Sequence, residues 1–278
     1  RTIGAVAVVA ALAAGSAWLF RSRGHEAPRN PSLAVFPFVN LSQDRENEYF
    51  SDGLTEELID AVARVEGFRV AARSLTFQYK GKSVDVRDIG RQLNVTHVLE
   101  GSVRRSGEKL RISVQLIHVW DGYQLWSHTY ERQQRDVFGV QEEIAQAIVN
   151  ALRLELRTGG RQLASRKYTE NLEAYNLYLR AKFEFNRFSE EGVSKAIEYL
   201  NQALRLEPRY APAHAMKATL WALTAYYGFD NPAQAAARAK EAAHQAIAID
   251  PSLSEAHAAL AFALGFNEWN WKECESEA

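Results

Sequence analysis

The chain has 278 residues, with 33 Lys and Arg against 34 Asp and Glu, a formal net charge of −1 and an apolar fraction of 47%. That balance argues against a strongly basic nucleic-acid-binding module, and the apolar fraction argues against a mostly disordered chain. The single cysteine, Cys274, excludes a disulfide framework and any multi-cysteine metal site.

Thr2 to Phe20 carries no charge, and Trp18, Phe20, Arg21 and Arg23 follow as interfacial residues would. A helix of this length rises about 28 Å, close to the hydrocarbon thickness of a bilayer. Residues 1–23 are therefore expected to form a transmembrane helix and its flank. A cleaved signal peptide ending near Gly15-Ser16-Ala17 is the alternative. Ala7, Ala11 and Gly15 form a stripe of small residues that permits helix pairing, so a homo-oligomer is compatible with the span. Residues 24–31 read as a linker. The chain starts at Arg1 rather than Met, and it is expected to be a fragment open at both ends.

Leu33 to Val39 predicts a buried strand, with Pro37 near an edge or bulge. A helix is expected from Gly53 to Val65, capped by Asp52 or Ser51, and a second strand from Phe68 to Ala72. Asp85 opens a further helix with Val86, Ile89 and Leu93 inward. Three strands then follow at hairpin spacing, His97 to Arg105, Leu110 to Val119 and Tyr123 to Glu131, with Asp121-Gly122 as a strong turn signal. A long helix runs from Asp136 to about Leu156. Residues 32–157 thus form an α/β domain with a mixed sheet.

The runs LAVFPFVNLSQDRENEYFSDGLTEELI, VAARSLTFQYKGKSVDVRDIGRQLNVTHVLEGSVRRSG, LRISVQLIHVWDGYQLWSHTYER and DVFGVQEEIAQAIV resemble TolB-like amino-terminal domains of bacterial signalling proteins, in the same order. The resemblance implies a single membrane span before the domain and, upstream of that, a winged-helix, Ser/Thr kinase or nucleotide cyclase domain.

After a linker at 158–170, residues 171–278 are Ala-rich and helical. Gln202–Pro208 recurs as Gln245–Pro251, and Ala213-His214 as Ala256-His257, both at a shift of 43 residues. This pattern resembles tetratricopeptide repeats, whose usual period is about 34 residues, with HEAT-type repeats as the alternative. The fold class is therefore α/β plus an all-α solenoid. The tetratricopeptide resemblance implies a concave groove for peptides or partner proteins, placed here at Pro212, Ala215, Thr219, Ala222, Glu255, Ala258 and Phe262. Packing of these helices on the preceding domain is the competing expectation.

No phosphate-cradling loop, nucleophile elbow or His-Glu-x-x-His helix is present in the sequence. His97, His118 and His128 lie on neighbouring strands and are expected to be structural or surface residues, with a metal site as the alternative. Glu56-Glu57 and Glu142-Glu143 are adjacent pairs expected to point to different sides of their helices. Glu100 lies among apolar strand residues, so a structural ion pair with Arg73, Arg104 or Arg105, or a solvated edge position, is expected there, with a ligand or partner contact as the alternative. The basic stretch Arg64 to Lys82 does not form one face.

These readings together predict a membrane-anchored, non-enzymatic sensor or scaffold segment without cofactor or metal. Its partners would be proteins or peptides, with no nucleic acid bound by these residues. Any kinase or cyclase activity would belong to an upstream domain. By family likeness the protein would sit in the inner membrane as a single-pass protein with its soluble part in the periplasm. An envelope assembly or transport accessory is the alternative.

Overall fold

The computed structural model describes residues 31–65, 67–82, 84–156, 168–187, 189–267 and 270–277. The apolar run 2–20, Trp269 and most of the two linkers lie outside them. Among the described residues, no helix is long and apolar enough to cross a membrane.

Strands β1 (Ser32–Val35), β2 (Val39–Asn40), β3 (Arg69–Val70), β4 (His97–Ser106), β5 (Lys109–His118) and β6 (Gln124–Gln133) form one mixed sheet in the order β3-β1-β4-β5-β6, with β2 also on β4. β1 pairs in parallel with β3 and β4, whereas β4, β5 and β6 are antiparallel. The predicted strand from Leu33 to Val39 is split in two. Pro37 lacks the N–H that a continuous ladder requires, so β1 stays central and buried while β2 resumes further along β4. Between them the Phe38 ring lies over Gly101 of β4, where an added Cβ would come within 2.6 Å of it.

Helices α1 (Glu48–Ala63), α2 (Arg73–Phe77), α3 (Val86–Leu93) and α4 (Val137–Leu156) complete the α/β unit. α1 starts before Gly53, on a 3-10 turn capped by Asp44, so neither Asp52 nor Ser51 is its cap. Asp85 does cap α3, accepting from the Arg87 N–H at 2.9 Å. Leu54, Leu58, Ile144 and Ile148 from α1 and α4 meet Leu99, Ile112 and Leu116 in the main core, on one face of the sheet. On the opposite face, Ile89 of α3 packs with Ala34, Val98 and Val119 near the start of β4.

The remaining helices are α5 (Leu172–Phe185), α6 (Glu190–Leu206), α7 (Ala211–Tyr227), α8 (Pro232–Ile249), α9 (Ser254–Phe262) and α10 (Trp271–Glu277), with a π-turn at Ala263–Asn267 before α10. The 43-residue recurrence is matched by atoms. His214 Nε2 lies 2.9 Å from the Pro208 carbonyl oxygen, and His257 Nε2 lies 2.9 Å from that of Pro251. Each imidazole ties the start of a helix to the turn that follows the helix before it. Buried alanines, among them Ala196, Ala203, Ala218, Ala239 and Ala246, let these helices approach closely.

α5 belongs to both halves. Tyr175 and Leu179 enter the main α/β core, while Ala174 and Ala181 enter the core formed with α6 and α7. Gly53 of α1 makes this docking close, since a Cβ there would lie 2.6 Å from Leu179 Cδ2.

Candidate functional site

Two features stand out, a polar groove on the sheet and a charged junction between α1 and α5. The groove lies on the face opposite α1 and α4. Alternation along β4, β5 and β6 places Glu100, Gln115 and Ser127 in one cross-strand row and Ser102, Ser113 and Thr129 in the next. Gln115 Nε2 donates to Glu100 Oε2 at 2.9 Å, and the Ser113 and Thr129 hydroxyls lie 3.1 Å apart. With Tyr79, Lys80, Gly81, Lys82 and Val84 as its far wall, this lattice bounds a cavity of about 970 Å³.

Glu100 therefore has a neutral amide as its partner, and the expected ion pair with Arg73, Arg104 or Arg105 does not form. The reason is register, because Gln115 stands directly opposite. Arg73 is instead 2.6 Å from Glu56, and Lys80 is 2.6 Å from both Glu48 and Asp52. Burial pushes the Asp52 carboxyl above its ordinary value, against the pull of Lys80.

At the junction, Lys182 of α5 reaches Glu57 at 3.1 Å, Glu56 at 3.4 Å and Asp60 at 3.6 Å. Asn186 also donates to Glu56 at 2.9 Å. Glu56 and Glu57 nevertheless share one cation. Neighbouring residues diverge around a helix, but one long lysine laid across α1 meets both. Burial pushes the Glu57 carboxyl up, while Lys182 pulls it down. For Lys182, burial acts downward, but Tyr178, Glu57, Glu56 and Asp60 outweigh it and hold the ammonium well above the ordinary lysine value. Glu142 and Glu143 have no such role, and Glu143 pairs on the surface with Arg132 at 3.3 Å.

The three strand histidines contact neighbouring side chains. The His97 and His118 rings lie 5.4 Å apart, and His118 Nδ1 is 3.1 Å from Asp121. His128 packs between Trp126 and Tyr130. Among the described residues, no group of three His, Cys, Asp or Glu side chains could hold a metal ion.

The seven residues expected to line a helical groove separate into two sets. Ala215 and Ala222 are each 1% exposed, so they are corrected. Ala215 packs on Ala246, Leu253 and Ala256, and Ala222 on Ala239 and Ala263, where α7 needs small side chains to meet α8 and the helix after it. Glu255 and Ala258 are exposed, and Pro212, Thr219 and Phe262 are half-buried. The Thr219 hydroxyl donates back to the Ala215 carbonyl at 3.2 Å. Phe262 belongs to an aromatic cluster that sequence reasoning missed, with Tyr226 at 5.7 Å and Phe266 at 4.9 Å. The spacing of Phe262 and Phe266, one helical turn apart, was the available signal.

Comparison with known proteins bears on the α/β unit first. Residues 29–148 match the second domain of HilA/YgeH-like transcriptional regulators. This HilA-type stretch holds the whole sheet and the start of α4. Over a longer stretch, the chain is 38% identical to Putative adenylate cyclase 3 of Rhizobium meliloti (strain 1021), covering 87% of this chain and 41% of that protein. It is 22% identical to Transcriptional regulator HilA of Salmonella typhimurium, covering 80% of this chain and 39% of the regulator. The chain thus spans about two fifths of the length of these relatives. Among solved structures, TolB from Acinetobacter baumannii is similar over 45% of this chain and 29% of TolB, at 17% identity and a TM-score of 0.36. The cyclase name of the 38%-identical relative overturns the expectation of a non-enzymatic protein, and that assignment is withdrawn.

Proposed function

We propose that this chain is the regulatory, partner-binding segment of a bacterial signalling protein or transcriptional regulator, built from a TolB-like α/β unit and tetratricopeptide-type hairpins. The observation that carries this reading is that the same long stretch occurs in a relative named as a cyclase and in one named as a transcriptional regulator, at 41% and 39% of their lengths. A segment shared by proteins with different outputs is suited to what they have in common, the control of an output.

The geometry supports such a role. Glu255, Ala258 and Phe262 offer a surface extended by Tyr226 and Phe266, which are 53% and 51% exposed. Aromatic side chains dominate the energetics of many protein interfaces. A protein or peptide bound there would bias the packing of the hairpins, and α5 would pass that bias to α1 through Lys182. The uncharged run 2–20 supports a membrane anchor for the segment, and a reporter fused after Ala278 tests on which side of the membrane the rest lies.

Segment exchange tests the reading. The corresponding stretch of the Rhizobium relative is replaced by this chain, or deleted, and cyclic AMP formation is followed in cells. Replacement is expected to preserve output while changing the conditions that evoke it, and deletion to lock output on or off. Normal, normally regulated output after deletion would refute the proposal.

A further inference from the structure

Near the end of β4, Arg105 is held by neutral groups alone. Its Nη1 donates to the Tyr49 hydroxyl at 3.0 Å and its Nη2 to Gln134 Oε1 at 2.6 Å. The guanidinium carbon lies 4.7 Å from the centre of the Phe50 ring. Nε is buried without a hydrogen-bond partner. A guanidinium carries five N–H donors and keeps its proton throughout the physiological range. Two of the five are used, by an uncharged hydroxyl and an uncharged amide. Among the described residues, no carboxylate pairs with Arg105.

The surroundings add positive charge. Arg104 lines the same cavity of about 740 Å³, together with Asn47, Gln43, Ser106 and Gln134. Arg104 stands opposite Arg111 across the strand pair, and it is Arg111 that takes Glu131, at 3.5 Å. The acidic group on the wall is Asp44, whose Oδ1 already accepts the Glu46 N–H at 2.8 Å. A partly buried cation without an opposite charge is unfavourable, and the guanidinium fork matches two oxygens of a carboxylate or phosphate. A cavity of this volume suits a small molecule.

We infer that this cavity is an oxyanion site, in which the Arg105 fork takes the carboxylate or phosphate group of a small polar ligand and Arg104 adds positive charge at the rim. The inference rests on the cavity and its charges alone, and it holds or fails independently of the regulatory role proposed above.

The test is titration of the purified full chain with inorganic phosphate and, separately, with acetate, at constant ionic strength set by chloride. Binding is read as saturable heat and as a saturable rise in melting temperature. Saturation by phosphate alone assigns a phosphorylated ligand, saturation by acetate alone or by both assigns a carboxylate-accepting site, and each supports the inference. Arg105→Gln should weaken binding at least tenfold. Arg104→Gln, at an exposed position that leaves the Arg105 bonds intact, should weaken it severalfold and stands in should the first variant fail to fold. Asp44→Asn keeps an oxygen for the Glu46 N–H, removes the opposing charge, and should tighten binding severalfold. Failure of both anions to saturate, or equal affinity in Arg104→Gln, Asp44→Asn and the unaltered chain, would overturn it.

Discussion

Lys182 Nζ lies 3.1 Å from Glu57 Oε1, a contact that joins α5 to α1 across 125 residues of sequence. Lys182 is 15% exposed in its side chain and also faces Glu56 and Asp60. Replacing it with methionine leaves three carboxylates gathered around an uncharged chain. Breaking a largely buried ion pair from one side costs about 3 kcal/mol. We expect Lys182→Met to lower the denaturation midpoint accordingly. The deficit should shrink as pH falls, since protonation of Glu57, whose carboxyl burial already pushes up, relieves the repulsion. Glu57→Gln should cost under about 1 kcal/mol, because it removes a carboxyl that burial disfavours and leaves Lys182 with Glu56 and Asp60. Equal losses for the two variants would contradict this account.

His214 gives a pH dependence of definite sign. Burial, against the pull of the Pro208 carbonyl, pushes its imidazole below the ordinary value of 6.5. The unfolded chain therefore binds a proton more readily than the folded one in this window. The stability contributed by the neutral ring is complete above about pH 6.5 and is lost as pH falls through the folded value. His214→Gln should cost about 1 kcal/mol at pH 7 through the lost hydrogen bond. It should also flatten the decline in melting temperature between pH 7 and pH 5, and an unchanged decline would count against His214 as its source.

Gly101 and Phe38 make a steric prediction. Phe38 is 1% exposed, and its ring carbons would lie 2.6 to 2.8 Å from a Cβ on Gly101. Gly101→Ala should destabilise the sheet by about 1–3 kcal/mol through overpacking. Phe38→Leu in the same chain should recover part of that loss. Additive losses in a double-mutant cycle would show that the ring and the glycine are not coupled.

Two glutamates exchange the importance that sequence assigned to them. Among the described residues Glu100 holds one bond, from Gln115, and Glu100→Gln can keep it through the amide oxygen, so a change under about 1 kcal/mol is expected. Glu56 receives Arg73 at 2.6 Å and Asn186 at 2.9 Å beside Lys182. Glu56→Gln should cost about 3 kcal/mol, as breakage of a buried pair does. Urea denaturation of both variants decides which carboxylate holds the structure.

The legible part of this fold is what periodicity and turn chemistry specify locally. The strand alternation from Leu110 to Leu116, the Asp121-Gly122 turn and the Asp85 cap all appear where those rules place them. The His-Pro contact recurs because the sequence recurs. What was not legible depends on which elements meet. Nothing near Lys182 announces that α5 will lie across α1, and the burial of Ala215 and Ala222 follows from neighbours far along the chain. The isolation of Arg105 from any carboxylate is likewise a property of three dimensions. Glu100 looked conspicuous because its strand neighbours are apolar, yet β-sheet register had already placed an amide opposite it.

A helix shared by two cores also sets the unit in which this segment can be inherited. A recombination point before Leu172 strips Tyr175 and Leu179 from the α/β unit and bares the surface around Gly53. One placed just after Phe185 deprives the hairpins of Ala174 and Ala181. A gene fusion that moved either half alone would carry an unfilled face into its new host, so the two halves are expected to move as one cassette.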